Sequence, residues 1–276
     1  MTSDPPIQIV AGIAARISPG PREKILWLHG YTLDSHIWHE LWSLLPEWHH
    51  IGIDLPGHGA SAPLASTQTL PALGQTLGKL ALEHEVRHIV GLSFGGMIAL
   101  QIAIEFPDDF ASLTLGSPGL GGGPQDPDAR TQYRELMRVY WEKGAGPWMT
   151  DLWMRWPPDI FKGASAHPVL WQQLRQIVDR HSWAELRNPG MQNLSMYTQR
   201  AEALQRIRSA TLILLGEQDI PAFRDTAEFI QRQIPTAQCV VVARAGHLAM
   251  LEMPSAASET IAAHFNSHSL LNSTRG

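Results

Sequence analysis

The pentapeptide Gly91-Leu92-Ser93-Phe94-Gly95 places a serine in the Gly-x-Ser-x-Gly pattern of a nucleophile elbow. A short apolar run, His88 to Gly91, precedes it, and a helical pattern follows it as far as Pro107. This context predicts a tight strand-to-helix turn, in which the serine takes strained backbone angles and small neighbours let the two elements approach. Such a turn exposes the hydroxyl of Ser93 at a helix N-terminus, where negative charge is favoured. The pattern therefore predicts that Ser93 is a nucleophile.

A serine hydroxyl needs a general base, and the base needs a group that orients it. His247 comes shortly after one late apolar run, and Asp219 follows another within a few residues. We predict that His247 takes the proton from Ser93 and later protonates the leaving group, while Asp219 fixes the tautomer of His247. Glu217 and Asp225 are alternative acids.

The segment Leu28-His29-Gly30-Tyr31 follows an earlier apolar run and is the second half of the predicted site. We expect the backbone N–H groups of Tyr31 and Phe94 to form an oxyanion hole, in which each donor is worth roughly 3 kcal/mol of transition-state stabilisation. His29 is interpreted as structural, because His247 already supplies a base. The turn Asp54-Leu55-Pro56-Gly57-His58-Gly59 is interpreted in the same way.

Short apolar runs alternate with helical patterns along the chain, which predicts an α/β fold around a parallel sheet. Most of these runs end in Gly, Asp or Ser, and such strand ends carry the functional loops of parallel sheets. The candidate strands are Ile7 to Val10, Ile13 to Ile17, Ile25 to Leu28, His50 to Ile53, His88 to Gly91, Ala111 to Leu115, Thr211 to Leu215 and Gln238 to Val242.

Residues 119–200 lack this strand signal and open with the run Gly119-Leu120-Gly121-Gly122-Gly123-Pro124, a plausible hinge. Apolar residues recur there at helical spacing, which predicts a helical cap inserted into a core of residues 1–118 and 201–276. The insertion holds six of the ten tryptophans and could line an apolar pocket, although such residues also serve simply to pack helices. Our candidate pocket residues are Trp141, Trp148, Met149, Trp153, Met154 and Leu248.

Composition narrows the possible partners of this chain. Its 276 residues are 44% hydrophobic and 17% charged, as in ordinary globular proteins. A net charge of −5 and the lack of a Lys/Arg-rich run argue against nucleic acid. No secretory signal or spanning apolar run of about 18 residues is present, so we predict a cytoplasmic protein without a membrane partner. The single cysteine, Cys239, is expected to be a buried strand thiol.

The histidines show no metal-ligand spacing, and no dinucleotide-binding or P-loop pattern occurs. We therefore predict no metal and no cofactor, and a small-molecule substrate. The oligomeric state is left open.

Five motifs in order resemble the alpha/beta hydrolase superfamily, and in particular its small capped esterases, enol-lactonases and carbon–carbon bond hydrolases. The resemblance covers nearly the whole chain. It implies a mostly parallel eight-stranded sheet flanked by helices, with a helical cap after the sixth strand. The motifs are His29-Gly30-Tyr31, Asp54-Leu55-Pro56-Gly57-His58-Gly59, Gly91-Leu92-Ser93-Phe94-Gly95-Gly96, Gly216-Glu217-Gln218-Asp219 and Gly246-His247.

Three functions agree with these residues. The first is hydrolysis of an ester, thioester or lactone of an apolar small molecule through an acyl-enzyme at Ser93. The second uses the same triad for carbon–carbon bond hydrolysis, a lyase reaction or acyl transfer, and the third is a non-enzymatic ligand receptor. The fold alone does not choose among them.

Overall fold

The computed structural model describes residues 7–10 and 12–269, and within them the strands form one eight-stranded sheet. The sheet order is β1-β2-β4-β3-β5-β6-β7-β8; the pairs β1/β2 and β2/β4 are antiparallel and all later pairs are parallel. The strands are β1 Ile7–Val10, β2 Ile13–Ser18, β3 Lys24–Leu28, β4 His49–Ile53, β5 Val86–Leu92, β6 Ser112–Gly116, β7 Ala210–Gly216 and β8 Ala237–Val242. The predicted fold class and the predicted strands are confirmed.

Helices lie on both sides of this sheet and account for most of the remaining chain. The α-helices are α1 His39–Ser43, α2 Leu70–Glu83, α3 Phe94–Glu105, α4 Pro127–Lys143, α5 Pro147–Trp153, α6 Pro168–Asp179, α7 Gly190–Met196, α8 Ala201–Leu204, α9 Pro221–Gln233, α10 Ala249–Glu252 and α11 Pro254–Ser267. Four 3₁₀ turns span Ser35–Trp38, Asp159–Phe161, Gly163–Ala166 and Ala184–Arg187. In this described part of the chain, none of the helices combines the length and the apolar character needed to cross a bilayer.

Two apolar clusters fill the two faces of the sheet, because successive strand residues point to opposite sides. In β3, Ile25 and Trp27 belong to one cluster, whereas Leu26 and Leu28 belong to the other. Helices α2, α3 and α9 cover the second cluster, and α1 and α11 cover the first. Burial on both faces explains why the central strands are continuous apolar runs.

Residues 119–200, which we call the helical segment, contain α4 to α7 and three of the 3₁₀ turns, and no β-strand lies in this stretch, all of which the structure describes. The predicted helical patterns are present: α6 buries Leu170, Leu174, Ile177 and Val178 along one side. These side chains join the same apolar cluster as Trp27 of β3. The helical segment therefore packs as a continuation of the core.

The order of the strands locates the functional edge of the sheet. The chain passes from β3 outward to β4 on one side and to β5 on the other, so the strand order reverses at β3. Ligands of open parallel sheets bind beyond the carboxyl ends of the strands at such a switch point. Leu28 and Gly91, the register partners at these ends, lead directly into the Tyr31 loop and the Ser93 turn.

Cys239 lies on strand β8 as predicted, but its side chain is only partly buried. The expectation of a buried thiol is wrong because β8 is an edge strand, and Val241, two residues further along it, is 58% exposed. Burial still raises the pKa of the Cys239 thiol.

Candidate active site

Ser93 occupies the sharp turn between β5 and α3. Its backbone angles are φ 54° and ψ −113°, outside the range that most L-residues adopt. Glycines make the turn possible. A Cβ on Gly91 would lie 2.5 Å from the carbonyl oxygen of Gly95, and a Cβ on Gly95 would collide with the carbonyl oxygen of Leu28. The N–H of Ser93 donates to the carbonyl of Gly116 at 2.9 Å, which ties the turn to β6.

The three residues predicted to act together lie in one hydrogen-bonded row. The Nε2 atom of His247 is 2.9 Å from the Oγ atom of Ser93, and its Nδ1 atom is 2.9 Å from Oδ1 of Asp219. A carboxylate only accepts, so Nδ1 carries the hydrogen and Nε2 is left to accept from the hydroxyl of Ser93. His247 and Asp219 are both buried. The geometry is that of a nucleophile, a base and an orienting acid.

Asp219 is the acid that faces His247, and the two alternatives lie elsewhere. Burial raises the pKa of Asp219, but the imidazole of His247 outweighs it and the pKa lies below its ordinary value. The Asp219 carboxylate also accepts the N–H of Ile220 at 2.7 Å. Glu217 is exposed and accepts the N–H of Arg244 at 2.8 Å, while Asp225 lies exposed on α9.

The loop after β3 runs beside the serine turn, as the predicted oxyanion hole requires. A Cβ on Gly30 would lie 3.7 Å from the Cβ of Ser93, so the backbone leading to Tyr31 passes close to the nucleophile. Phe94 is the first residue of α3, and the N–H groups of a first helical turn have no intrahelical partner. Assignment of the amides of Tyr31 and Phe94 to an oxyanion hole stays a prediction.

His29 and the turn after β4 hold this loop in place, as predicted. The Nε2 atom of His29 accepts the N–H of Leu55 at 2.9 Å, and its Nδ1 atom faces the carbonyl of Gly30 at 2.8 Å. Burial lowers the pKa of His29, which keeps the ring neutral for this arrangement. Asp54 accepts the N–H groups of Ser35 and Ala60, each at 2.8 Å.

The carboxyl group of Glu252, which was not predicted from the sequence, holds the backbone on both sides of His247. Its Oε2 atom accepts the N–H of Gly246 at 2.5 Å, and its Oε1 atom accepts the N–H of Leu248 at 3.1 Å. Glu252 is buried, and burial raises its pKa. A Cβ on Gly163 would collide with this carboxyl, so the helical segment covers it. The available signal was an acid in an apolar stretch shortly after the base.

Tyr31 is the centre of an aromatic group above the serine turn. Its ring centroid lies 5.4 Å from that of Trp153, 6.4 Å from that of Phe94, 5.8 Å from that of His58 and 5.9 Å from that of His181. All four contacts are edge-on, the preferred arrangement of aromatic pairs. The helical segment thus supplies Trp153 and His181 to the surface that faces the loop after β3.

Two further hydrogen bonds join the helical segment to that loop. The Tyr31 hydroxyl donates to Oε1 of Glu185 at 2.6 Å, and the indole N–H of Trp153 donates to Oγ1 of Thr32 at 2.7 Å. Glu185 was also not predicted, since nothing local marks it as a partner of a residue 154 positions earlier.

The structure separates the six predicted pocket residues into two groups. Trp153, Met149, Met154 and Leu248 are buried in the apolar cluster that also contacts Tyr31. These four are the ones that stay candidates for the pocket.

Trp141 and Trp148 are not brought to the site, and their expected pocket position is corrected. They are 62% and 40% exposed, respectively. Trp141 follows the buried stripe of α4 and faces outward under the guanidinium of Arg187, which is 5.1 Å from its ring centroid. The indole N–H of Trp148 donates to the carbonyl of Gly144 at 3.0 Å.

Phe223 of α9, which was not predicted, packs on His247 with ring centroids 4.1 Å apart.

Metal-ligating side chains do not converge anywhere in the described ranges. Among those residues, no group of three or more His, Cys, Asp or Glu is arranged to hold a metal ion.

Comparison with known proteins identifies the family. The model described as "Alpha/beta hydrolase family" matches residues 25–260. The chain belongs to the alpha/beta hydrolase family. Family membership and the lipase and synthase relatives support a hydrolase or a related activity.

Two relatives match most of this alpha/beta hydrolase chain. It is 26% identical over 251 residues to 2-succinyl-6-hydroxy-2,4-cyclohexadiene-1-carboxylate synthase of Escherichia coli (strain SMS-3-5 / SECEC), covering 86% of this chain and 92% of that protein. It is also 26% identical over 265 residues to monoacylglycerol lipase ABHD6 of Mus musculus, covering 88% and 75%, respectively. Among solved structures, MenH from S. aureus superposes with a TM-score of 0.78 at 22% identity, over 92% of this chain and 98% of that one.

Proposed function

We propose that this protein is a serine hydrolase that cleaves an ester, thioester or lactone of an apolar small molecule through an acyl-enzyme on Ser93. The observation that carries the proposal is the row of two 2.9 Å contacts from Ser93 through His247 to Asp219. Membership of the alpha/beta hydrolase family supports it.

In the acylation step, Oγ of Ser93 attacks the substrate carbonyl carbon and its proton passes to Nε2 of His247. The resulting oxyanion accepts hydrogen bonds from the N–H groups of Tyr31 and Phe94. Collapse of this intermediate breaks the bond to the leaving group, which takes the proton from His247. The product of the step is an ester of Ser93.

Deacylation repeats these events with water as the nucleophile. His247 takes one proton from the water as its oxygen attacks the acyl carbon, and the released Ser93 oxygen recovers that proton. Asp219 stabilises the imidazolium that forms in each half-reaction, and its lowered pKa keeps it ionised for this purpose. The free acid then leaves.

Residues 119–200 act, in this proposal, as a cap that bounds the substrate site. The support is that Trp153 and His181 of the helical segment lie against Tyr31, whose amide is assigned to the oxyanion hole. The surroundings are largely aromatic, which suits an apolar substrate. A cytoplasmic location remains a prediction from the sequence.

Ser93→Ala tests the proposal against Ser43→Ala, a change at an exposed serine on α1. We expect Ser93→Ala to abolish hydrolysis of p-nitrophenyl butanoate and labelling by a fluorophosphonate, while Ser43→Ala retains both. Wild-type-like turnover by Ser93→Ala would refute the assignment.

A second candidate uses the same triad for a lyase reaction, carbon–carbon bond hydrolysis or acyl transfer. Its support is the similarity, along most of both chains, to a protein named as a synthase. In that case the fluorophosphonate labels Ser93, yet simple esters are turned over poorly.

A further inference from the structure

Glu185 is a buried carboxylate in the 3₁₀ turn Ala184–Arg187 of the helical segment, and only 5% of its surface is exposed. One of its oxygens is held by two donors. Oε1 accepts from the Tyr31 hydroxyl at 2.6 Å and lies 3.0 Å from Nε2 of His181, which must donate because a carboxylate oxygen only accepts. The side chain is therefore fixed in position.

The other oxygen of this carboxylate has no partner among the described residues. Oε2 of Glu185 is buried, and none of them donates a hydrogen bond to it. An unpaired buried acceptor is unfavourable, and more so when it is charged. Within the same ranges, the ion-pair partner of Glu185 is His181. A fixed and unpaired acceptor of this kind is suited to a donor that arrives with a ligand.

His58 supplies a second unpaired acceptor in the same cluster. Its Nδ1 atom faces the carbonyl of Pro56 at 3.2 Å, so Nδ1 carries the hydrogen. The Nε2 atom then has a lone pair with which to accept a hydrogen bond. This Nε2 atom is buried and has no donor among the described side chains. The His58 ring centroid lies 4.9 Å from that of His181, which contacts Glu185.

Both atoms remain hydrogen-bond acceptors near neutral pH, because His58 stays neutral and Glu185 stays ionised. Burial, with the neighbouring rings of His181 and His29, holds the pKa of His58 well below its ordinary value. Burial raises the pKa of Glu185, but the hydrogen bond and charge of His181, the hydrogen bond of Tyr31 and the backbone N–H of Glu185 itself outweigh it and lower the pKa overall.

This cluster is adjacent to the assigned reaction centre. The side chain of Tyr31 bridges the two, because its hydroxyl reaches Glu185 and its backbone N–H is assigned to the oxyanion hole. His58 also packs near Phe94, with ring centroids 6.1 Å apart. Tyr31 and Phe94 therefore connect this cluster to the backbone that surrounds Ser93.

We propose that Oε2 of Glu185 and Nε2 of His58, which both lie around His181, form a subsite that binds a hydroxyl group of the substrate and rejects a substrate carboxylate. The inference rests on the proposed hydrolysis at Ser93 and narrows its substrate class to neutral hydroxylated esters. A hydroxyl has one hydrogen to donate, and either Oε2 of Glu185 or Nε2 of His58 accepts it. A carboxylate brings a third acceptor and a like charge into a site of low dielectric constant, where repulsion is strong.

Four esters test the subsite: propyl butanoate as the reference, glycerol 1-butanoate with hydroxyls on the alcohol, propyl 3-hydroxybutanoate with a hydroxyl on the acyl chain, and monopropyl succinate with a carboxylate. We expect wild type to favour one hydroxylated ester over the reference by about tenfold or more in kcat/KM. The favoured ester shows whether the subsite binds a hydroxyl of the alcohol or of the acyl chain. Monopropyl succinate is expected to be the poorest substrate.

Glu185→Gln removes the charge and places an amide at the subsite. We expect it to reduce the hydroxyl preference by about tenfold and to raise kcat/KM for monopropyl succinate relative to propyl butanoate by a similar factor. A merely structural role would lower all four rates together. Glu142→Gln, a change at an exposed glutamate of α4, is the matched control and leaves both ratios at wild-type values.

Glu185→Asp replaces the Gln variant in this test if that variant fails to fold. The shorter side chain keeps the negative charge but withdraws the carboxylate oxygen from the subsite. It should lose the hydroxyl preference and still reject monopropyl succinate. The subsite is refuted if wild type hydrolyses the esters with no hydroxyl preference in either arm, or if the folded Glu185 variants leave both ratios unchanged.

Binding to Ser93→Ala separates the two proposals, because this variant is expected to bind ester without turnover. Tighter binding of a hydroxylated ester than of propyl butanoate, abolished in Ser93→Ala/Glu185→Gln, supports the subsite even if wild type hydrolyses none of the esters. In that case only the proposed hydrolysis fails. Equal binding of the hydroxylated and reference esters overturns the subsite.

Discussion

Glu252→Gln is expected to weaken catalysis without removing any residue of the triad. The carboxylate receives the N–H groups of Gly246 and Leu248, so it fixes the backbone on both sides of His247. An amide keeps one acceptor but turns an NH₂ group toward the other N–H. A hydrogen bond to a charged group contributes about 1.5–3 kcal/mol. If about 2 kcal/mol of this is lost from the placement of His247, kcat falls roughly 30-fold.

The effect of Glu252→Gln should also depend on pH. Burial raises the pKa of Glu252, and a protonated carboxyl offers one donor and one acceptor, just as an amide does. Above the pKa of Glu252 the wild-type enzyme has two acceptors, and as the pH falls through that pKa it comes to resemble the variant. The ratio of wild-type to variant kcat is therefore largest at high pH and narrows toward low pH.

Steady-state hydrolysis of p-nitrophenyl butanoate across pH measures this ratio, with urea unfolding to record stability. Because Glu252 acts through His247, the loss should fall on kcat with KM little changed. Glu259→Gln, at an exposed position of α11, is the control and should match wild type. A variant with wild-type kcat above pH 7, or a loss that is constant across pH, would refute the reasoning.

Three further predictions concern the histidines. Burial lowers the pKa of His50 and of His88 to about 4, so between about 6.5 and 4 the unfolded chain binds protons that the folded chain does not. The free energy of unfolding should therefore decrease as pH falls through this window, by up to roughly 3 kcal/mol for each histidine, and constant stability in urea from pH 7 to 4.5 would contradict it. His29→Ala should destabilise the fold by about 2 kcal/mol, because it leaves a buried N–H unpaired. His247→Ala should instead reduce kcat by roughly 10⁴-fold or more with little change in stability, and the reverse pattern would overturn both roles.

Local signals were sufficient for the sheet and for the serine turn. Each central strand is a short apolar run because both of its faces are covered, and this burial is evident from the residues themselves. The serine turn was equally readable, since the glycines around Ser93 are demanded by contacts within a few residues or with the adjoining strand. Asp219 and His247 were predictable because they directly follow strands whose ends meet at one sheet edge.

The errors in the candidate site fell on the helical segment. Trp141 and Trp153 are chemically identical and both lie in helices, yet one faces Arg187 at the surface and the other contacts Tyr31. Helical periodicity specifies which residues share a face, but it does not specify which neighbour that face meets.

The sequence by itself determined the α/β class, the strand positions and the three residues now seen in one hydrogen-bonded row, because each is set by local burial or by position at a strand end. Only the tertiary structure brought Glu252 to the backbone around His247 and Glu185 to the hydroxyl of Tyr31. A buried carboxylate is stabilised by whichever donors the packed elements bring to it, and those donors are fixed by how helices dock on the sheet. The residues of the proposed attack were therefore readable along the chain, whereas the contacts of Glu252 and Glu185 emerged only from packing.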